Sequence, residues 1–274
     1  MPFRIAALLT CLLVIALAVP AQTPGDSPLQ QLGPGAEARD WQAVGRLNIA
    51  HQGFCTGTLI APDRVLTAAH CLFDSETGAR IDDAAIEFLA GWRIGHAEAI
   101  RGIRRAAIAP GFRMTDDRTL DRVARDLAVL QLDRPIHLNG MQPFAVSART
   151  PTRGAAVSVV SYARGREGAP SLQDRCAVLD RLQEGVLVMS CAIDLGSSGS
   201  PVFALEGGAP RIVSVISALA ESQGRNLALG MQLDGRIAAL MAELDIPDGP
   251  IRRLRPSPAP GEAGARGSAR FVRP

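Results

Sequence analysis

Three short segments of this 274-residue chain hold residues whose types suit nucleophilic acyl transfer. The first runs Cys55-Thr56-Gly57-Thr58-Leu59-Ile60-Ala61-Pro62-Asp63-Arg64-Val65-Leu66-Thr67-Ala68-Ala69-His70-Cys71. It reads as a strand, a tight turn at Pro62-Asp63, a second strand, and then an imidazole beside a cysteine. The small Ala68 and Ala69 let that imidazole approach other backbone closely. The second is Asp126-Leu127-Ala128-Val129-Leu130, a carboxylate heading an apolar strand. A buried carboxylate is expensive unless a donor such as an imidazole N–H meets it. The third is Gly196-Ser197-Ser198-Gly199-Ser200-Pro201-Val202-Phe203, a glycine-flanked serine on a sharp turn that enters a strand. Backbone N–H groups at such a turn can face a developing oxyanion. The spacing G-x-S-G favours Ser198 over Ser197 and Ser200 as the reactive hydroxyl. Asp126 is preferred over Asp116, Asp117 and Asp121, which fall in an Arg-containing run that reads as a solvated loop. His51, His96 and His137 lack any comparable context and are read as surface or loop residues.

The elements that must position these groups are short. Between residues 41 and 235 the apolar stretches are mostly 4–8 residues long and bounded by Gly, Pro, Asp or Asn. Examples are Ala43–Ile49, Arg64–Thr67, Leu127–Leu132, Ala155–Val160, Val186–Ser190, Pro201–Leu205 and Ile212–Ile216. Their spacing and β-branched content predict an all-β sandwich or barrel rather than alternating β-α units. Gln232–Asp245 differs: Ile237, Leu240, Met241 and Leu244 share one helical face, Asp234 can cap the start, and Pro247 stops it. An amphipathic helix closing an all-β chain is expected to lay its apolar stripe on a barrel.

Composition excludes several chemistries. The net charge is +2, too near neutral for a nucleic-acid footprint. Every basic residue apart from the histidines is Arg, which excludes a Ser-Lys dyad, a Schiff-base enzyme and a phosphate loop with its lysine. Residues 1–21 read as a signal peptide: Arg4, an apolar run from Ile5 to Val19 broken only by Thr10, then Val19-Pro20-Ala21. That run is shorter than the roughly 20 residues a membrane span needs. Signal removal leaves no transmembrane segment and a secreted or periplasmic chain. It also discards Cys11, leaving Cys55, Cys71, Cys176 and Cys191, an even set that suggests two disulfides in one of three connectivities. Pairing neighbours in sequence closes loops of 16 and 15 residues, each bridge worth on the order of 3 kcal/mol. Without a close C-x-x-C pair these cysteines argue against a metal site. Residues 22–40 read as a propeptide or flexible lead, and 248–274 as a basic, Pro/Gly/Arg-rich disordered tail. Arg4 and that tail carry +5 between them, so residues 22–247 carry −3.

The three motifs together resemble those of the trypsin-like (chymotrypsin-fold) serine peptidases. T-A-A-H-C, D-L-A-V-L and G-S-S-G-S-P match in kind and in chain order, and Ser at the last small position is similar to the bacterial secreted glutamyl-endopeptidase branch. The order His, Asp, Ser is the reverse of the α/β-hydrolases' Ser, Asp, His. The resemblance covers about residues 41–245. It implies two antiparallel six-stranded Greek-key barrels, residues 41–140 and 141–247, the second carrying the helix. It also implies an active site in the cleft between them, with His70 as general base, Asp126 holding its tautomer and Ser198 as nucleophile. The amides of Gly196 and Ser198 would form the oxyanion hole. Ser214, in the strand Arg211–Ile216, is expected to match the family's buried serine on the catalytic Asp, in the substrate-binding region. The implied activity is peptide-bond hydrolysis on a protein or peptide substrate by a monomer needing no cofactor. A catalytically silent binding module and an esterase on the same scaffold are the alternatives.

The sequence departs from the family in two places. Trypsin-like activation pairs a new Ile or Val N-terminus with an Asp just before the nucleophile. Here that position is Ser197, and no I/V-x-G-G signal occurs between residues 22 and 42. The oxyanion loop must therefore be shaped by other means. The family's basic-residue specificity needs an acid six positions before the nucleophile, where this chain has Ala192. An unpaired guanidinium there is unfavourable, unless Asp194 points inward. The strand Ile212–Val215 holds no His that would favour a Glu side chain, so a small or apolar P1 residue is expected.

Overall fold

The structure, a computed structural model, describes residues 27–49, 53–114, 119–222, 224–233 and 235–246. The signal segment, His51, Asp116, Asp117, Asp234, Pro247 and the basic tail lie outside the described residues.

The chain enters through β1 (Gln30–Gln31) and a short helix α1 (Ala36–Arg39). Six strands then close into a barrel: β2 (Val44–Ile49), β3 (Gly53–Ala61), β4 (Arg64–Thr67), β5 (Ile86–Ala90), β6 (Ala99–Ile108) and β7 (Ala128–Leu132). Their order around the ring is β2-β3-β4-β7-β6-β5, every pair antiparallel. Closure needs close approach at Gly45, where a Cβ would meet the Phe88 ring at 2.5 Å.

A second ring follows: β8 (Ala156–Ser161), β9 (Ser171–Arg181), β10 (Val186–Met189), β11 (Pro201–Glu206), β12 (Ala209–Ser222) and β13 (Arg225–Gln232). The long β9 pairs with both β8 and β10 and so closes it, while β1 adds to β9. The β11–β12 hairpin turns on Gly207 and Gly208, both at positive φ, as a two-residue turn matching strand twist requires. Cys55–Cys71 and Cys176–Cys191 are the disulfides, the neighbour pairing expected.

One apolar cluster runs from the first barrel into the second, reaching Tyr162, Phe203, Val215 and Met231. Trp41, Phe144 and Phe203 pack together there, with ring centroids 4.7–5.6 Å apart. The expected helix is α3 (Arg236–Asp245), starting behind Gly235, and its buried Leu240 and Leu244 pack on β6 and β7. The helix thus seats on the first barrel, although the chain reaches it from the second. Arg64, buried in β4, holds Asp245 at 2.6 Å, and Arg105 donates to the Leu244 carbonyl.

Two expectations change. Asp121 belongs not to a loop but to a helix, α2 (Leu120–Arg125), which Thr119 caps and an Asp121–Arg125 pair at 2.9 Å supports. The described part of the lead is not free: β1 pairs with β9 and Leu32 is buried. The paired partner backbone, rather than the polar Gln-Gln sequence, makes that strand.

Candidate active site

His70 sits on a single 3₁₀ turn, Ala69–Leu72, that ends the β4 segment. Ala68 and Ala69 are fully buried, and the bridge from Cys71 back to Cys55 on β3 pins the turn. Asp126 caps the end of α2 and heads β7, with no exposed surface. The two residues meet twice. His70 Nδ1 lies 2.6 Å from Asp126 Oδ2, and the His70 backbone N–H donates to Oδ1 at 2.7 Å. A carboxylate accepts only, so Nδ1 carries the proton and Nε2 is left as the acceptor.

A third donor reaches Asp126 Oδ2: the hydroxyl of Ser217. The residue expected there was Ser214, and the structure corrects this. Ser214 Oγ donates instead to the Met231 carbonyl at 2.8 Å. The β12–β13 register shifts between Ile216 and Ala218, and that irregularity turns Ser217 inward. Burial by itself pushes the Asp126 pKa up. The neighbouring His70 charge, its side-chain and backbone donors and the Ser217 hydroxyl outweigh it and hold the carboxyl below its ordinary value.

Ser198 lies on the loop between β10 and β11, in the second barrel, and shares a cleft of about 370 Å³ with His70 and Gly196. The loop docks on Thr56 of β3. The Thr56 N–H donates to the Ser198 carbonyl at 2.8 Å, and Thr56 Oγ1 donates to the Gly196 carbonyl at 3.0 Å. Thr56 Oγ1 also accepts from the Tyr162 N–H at 3.0 Å, so one hydroxyl ties three segments. Gly199 is obligatory: φ is +79°, and a Cβ would sit 2.2 Å from the Thr56 carbonyl oxygen. Gly196, at φ +96°, faces the Phe54 ring, 2.4 Å from where a Cβ would stand.

The loop expected to carry the oxyanion hole is shaped locally. Ser197 N–H donates to the Asp194 carbonyl at 2.9 Å, and the Asp194 N–H donates back to Ser197 Oγ at 3.2 Å. The Leu195 carbonyl accepts from Arg164 N–H at 2.7 Å. Because a trans peptide points its C=O and N–H in opposite directions, this bond aims the Gly196 N–H away from Arg164. Asp194 is exposed and its Oδ1 accepts from Leu195 N–H at 2.7 Å, so it does not point inward. Neither Ala192 nor Ser214 lines the cleft that holds His70 and Ser198. Ala192 is exposed, and its N–H donates to Gln173 Oε1 at 2.7 Å.

Thr56 and Ser217 escaped sequence reasoning. The first stands inside a quoted motif, but its task is tertiary. The second is one of several serines on β12, and only the bulge selects it. Cys55, Cys71 and His70 bring potential ligand atoms together, yet the two sulfurs are bonded to each other and offer no thiolate. No helix among the described residues is long and apolar enough to cross a membrane.

A family model described as a trypsin-like peptidase domain matches residues 55–209, more than half of the chain. A Drosophila melanogaster protein described as a modular serine protease is 34% identical over 91 residues, which is 31% of this chain and 14% of that protein. The chain therefore matches only a small part of that relative's length. Among solved structures, a Glu endopeptidase in complex with MPD superposes with a TM-score of 0.66 at 17% identity, covering 81% of this chain and 98% of that one. At that identity the likeness speaks for the fold.

Proposed function

Because this chain belongs to the trypsin-like peptidase family, we propose that it is a secreted serine endopeptidase in which His70, Asp126 and Ser198 carry the reaction. The observation that carries this reading is the doubly bonded His70–Asp126 pair, with His70 lining the same cleft as Ser198.

A serine hydroxyl is a weak nucleophile at neutral pH, so the step begins with proton transfer from Ser198 Oγ to His70 Nε2. Oγ bonds to the carbonyl carbon and the carbonyl electron pair moves onto oxygen. Asp126 keeps the imidazole in the needed tautomer and stabilises the cation that forms. The oxyanion is received by the N–H groups of Gly196 and Ser198, each worth about 3–4 kcal/mol in the transition state. The bond from Leu195 to Arg164 N–H supports that orientation and argues against a silent module. Collapse breaks the C–N bond as His70 returns its proton to the leaving amine. Water then repeats the sequence: it gives a proton to His70, attacks the acyl-enzyme, and Ser198 departs with that proton.

Two disulfides fit an oxidising compartment and support secretion through residues 1–21. The substrate is a protein or peptide, bound by a monomer and cut after a small or apolar residue. The two barrel units span residues 41–140 and 141–247, the second ending in a helix that packs back on the first. An active-site phosphonate tests the reading: it labels Ser198 in the wild type and leaves a Ser198→Ala variant unlabelled. An unlabelled wild type would favour a silent binding module, and turnover of esters alone would favour an esterase.

A further inference from the structure

The segment Ser27–Leu32 is bound at both ends and through its strand pair. Ser27 Oγ donates to the Arg175 carbonyl at 2.9 Å and accepts from the Arg175 N–H at 3.1 Å, so a side chain takes the place of a strand rung. Gln30 and Gln31 pair with Leu172 and Ser171 on β9. The Leu32 N–H donates to the Pro170 carbonyl at 2.9 Å, and the Leu32 side chain is buried. The Arg93 guanidinium, from the first barrel, closes the segment on the carbonyls of Leu32 and Gly33 at 2.6 and 3.0 Å.

One buried side chain carries this docking toward the reactive serine. Gln173, 3% exposed on β9, donates through Nε2 to the Ser27 carbonyl at 2.8 Å. Its Oε1 accepts from the Ala192 N–H at 2.7 Å. Ala192 follows Cys191 and opens the run to Gly196 and Ser198. From there the loop is internally closed by the two Asp194–Ser197 bonds and held at its far end by Thr56. Gln173 therefore fixes the entry of the loop and Thr56 its exit. Removing Ser27 takes away the acceptor that holds Gln173 Nε2, which frees the Gln173 side chain to turn and release Ala192.

We propose that residues 27–32 stay in the mature protein as a working strand, and that Gln173 is a positioning residue coupling this strand to the Ser198 loop. This arrangement does the ordering that an Asp at the Ser197 position cannot do here. The inference rests on the serine-peptidase reading, with Ser198 as nucleophile.

The test compares three variants with the chain starting at Gln22: one lacking residues 22–33, Gln173→Leu in the longer chain, and the two combined. Each single change should slow phosphonylation of Ser198 and lower kcat on a peptide substrate about tenfold, the size of one lost buried hydrogen bond, with the combination no worse than either. Hydrogen exchange at the Ala192 amide should lose protection in all three variants, a readout independent of activity. Unchanged rates with unchanged Ala192 protection, or losses that multiply to about a hundredfold in the combination, overturn the coupling. If the shortened chain does not fold, Gln173→Leu carries both readouts alone. A full wild-type chain that takes no phosphonate refutes the peptidase reading and leaves Ala192 exchange to decide the coupling. Labelling with undisturbed Ala192 exchange refutes the coupling and leaves the peptidase reading intact.

Discussion

Replacing Ser217 by Ala removes one of the three donors that Asp126 accepts, and nothing else that the carboxylate touches. The site is 5% exposed, so water does not freely take the place of the lost hydroxyl. A hydrogen bond to a charged group is worth about 1.5–3 kcal/mol, which sets the loss of stability at pH 7. The pH dependence follows from the depressed folded pKa of Asp126, to which Ser217 contributes. A carboxyl that binds its proton less tightly folded than unfolded adds stability above its unfolded value, about 3.9. That contribution fades as pH falls through the folded value. Ser217→Ala raises the folded value toward the unfolded one, so the contribution is smaller and is exhausted at a higher pH. Its penalty should also shrink once the carboxyl is protonated, because a neutral hydrogen bond is worth only about 1 kcal/mol. Urea unfolding of wild type, Ser217→Ala and Ser214→Ala from pH 7 to pH 2 checks this. Ser214→Ala should show a nearly pH-independent offset, since its hydroxyl serves the Met231 carbonyl. A constant penalty for Ser217→Ala, with the pH-dependent one appearing for Ser214→Ala, would refute the assignment.

Three further outcomes are expected. His70→Ala should lower kcat by about 10⁶-fold, because the nucleophile and its base act as a unit; a loss under about tenfold would place the base elsewhere. Gly196→Ala should slow phosphonate labelling by at least about a hundredfold, the usual cost of losing an oxyanion donor, since φ +96° and the Phe54 ring both oppose a methyl group; normal labelling would show that the amide is not used. Leu244→Ala should cost about 2–5 kcal/mol in denaturant unfolding if α3 is an integral part of the first barrel; a change below about 0.5 kcal/mol would mark α3 as a loose appendage.

The parts of this molecule legible in sequence are those whose meaning is local. The turn carrying His70, the strand behind Asp126 and the glycine-flanked Ser198 each announce themselves within a few residues. Apolar strands such as β4 and β7 do so as well. By contrast, β6 interleaves Arg101, Arg104 and Arg105 with buried Ala99, Ile103 and Ala107, a spacing nearer to a helix than to alternation. Only pairing with β5 and β7 makes it a strand. The choice of Ser217 over Ser214 depends on a register shift between two strands, which no one-dimensional pattern displays. β1 is two glutamines, and its conformation is imposed by the edge it joins.

The carboxylate of Asp126 is translated with the first half of the chain, whereas the hydroxyl of Ser217 arrives with the second. Until the second barrel has been made, Asp126 lacks the Ser217 donor and His70 has no Ser198 sharing its cleft. On the peptidase reading, activity therefore waits until the last strands have been delivered and closed against the first. The same reading makes the order of synthesis a safeguard against activity in incomplete copies.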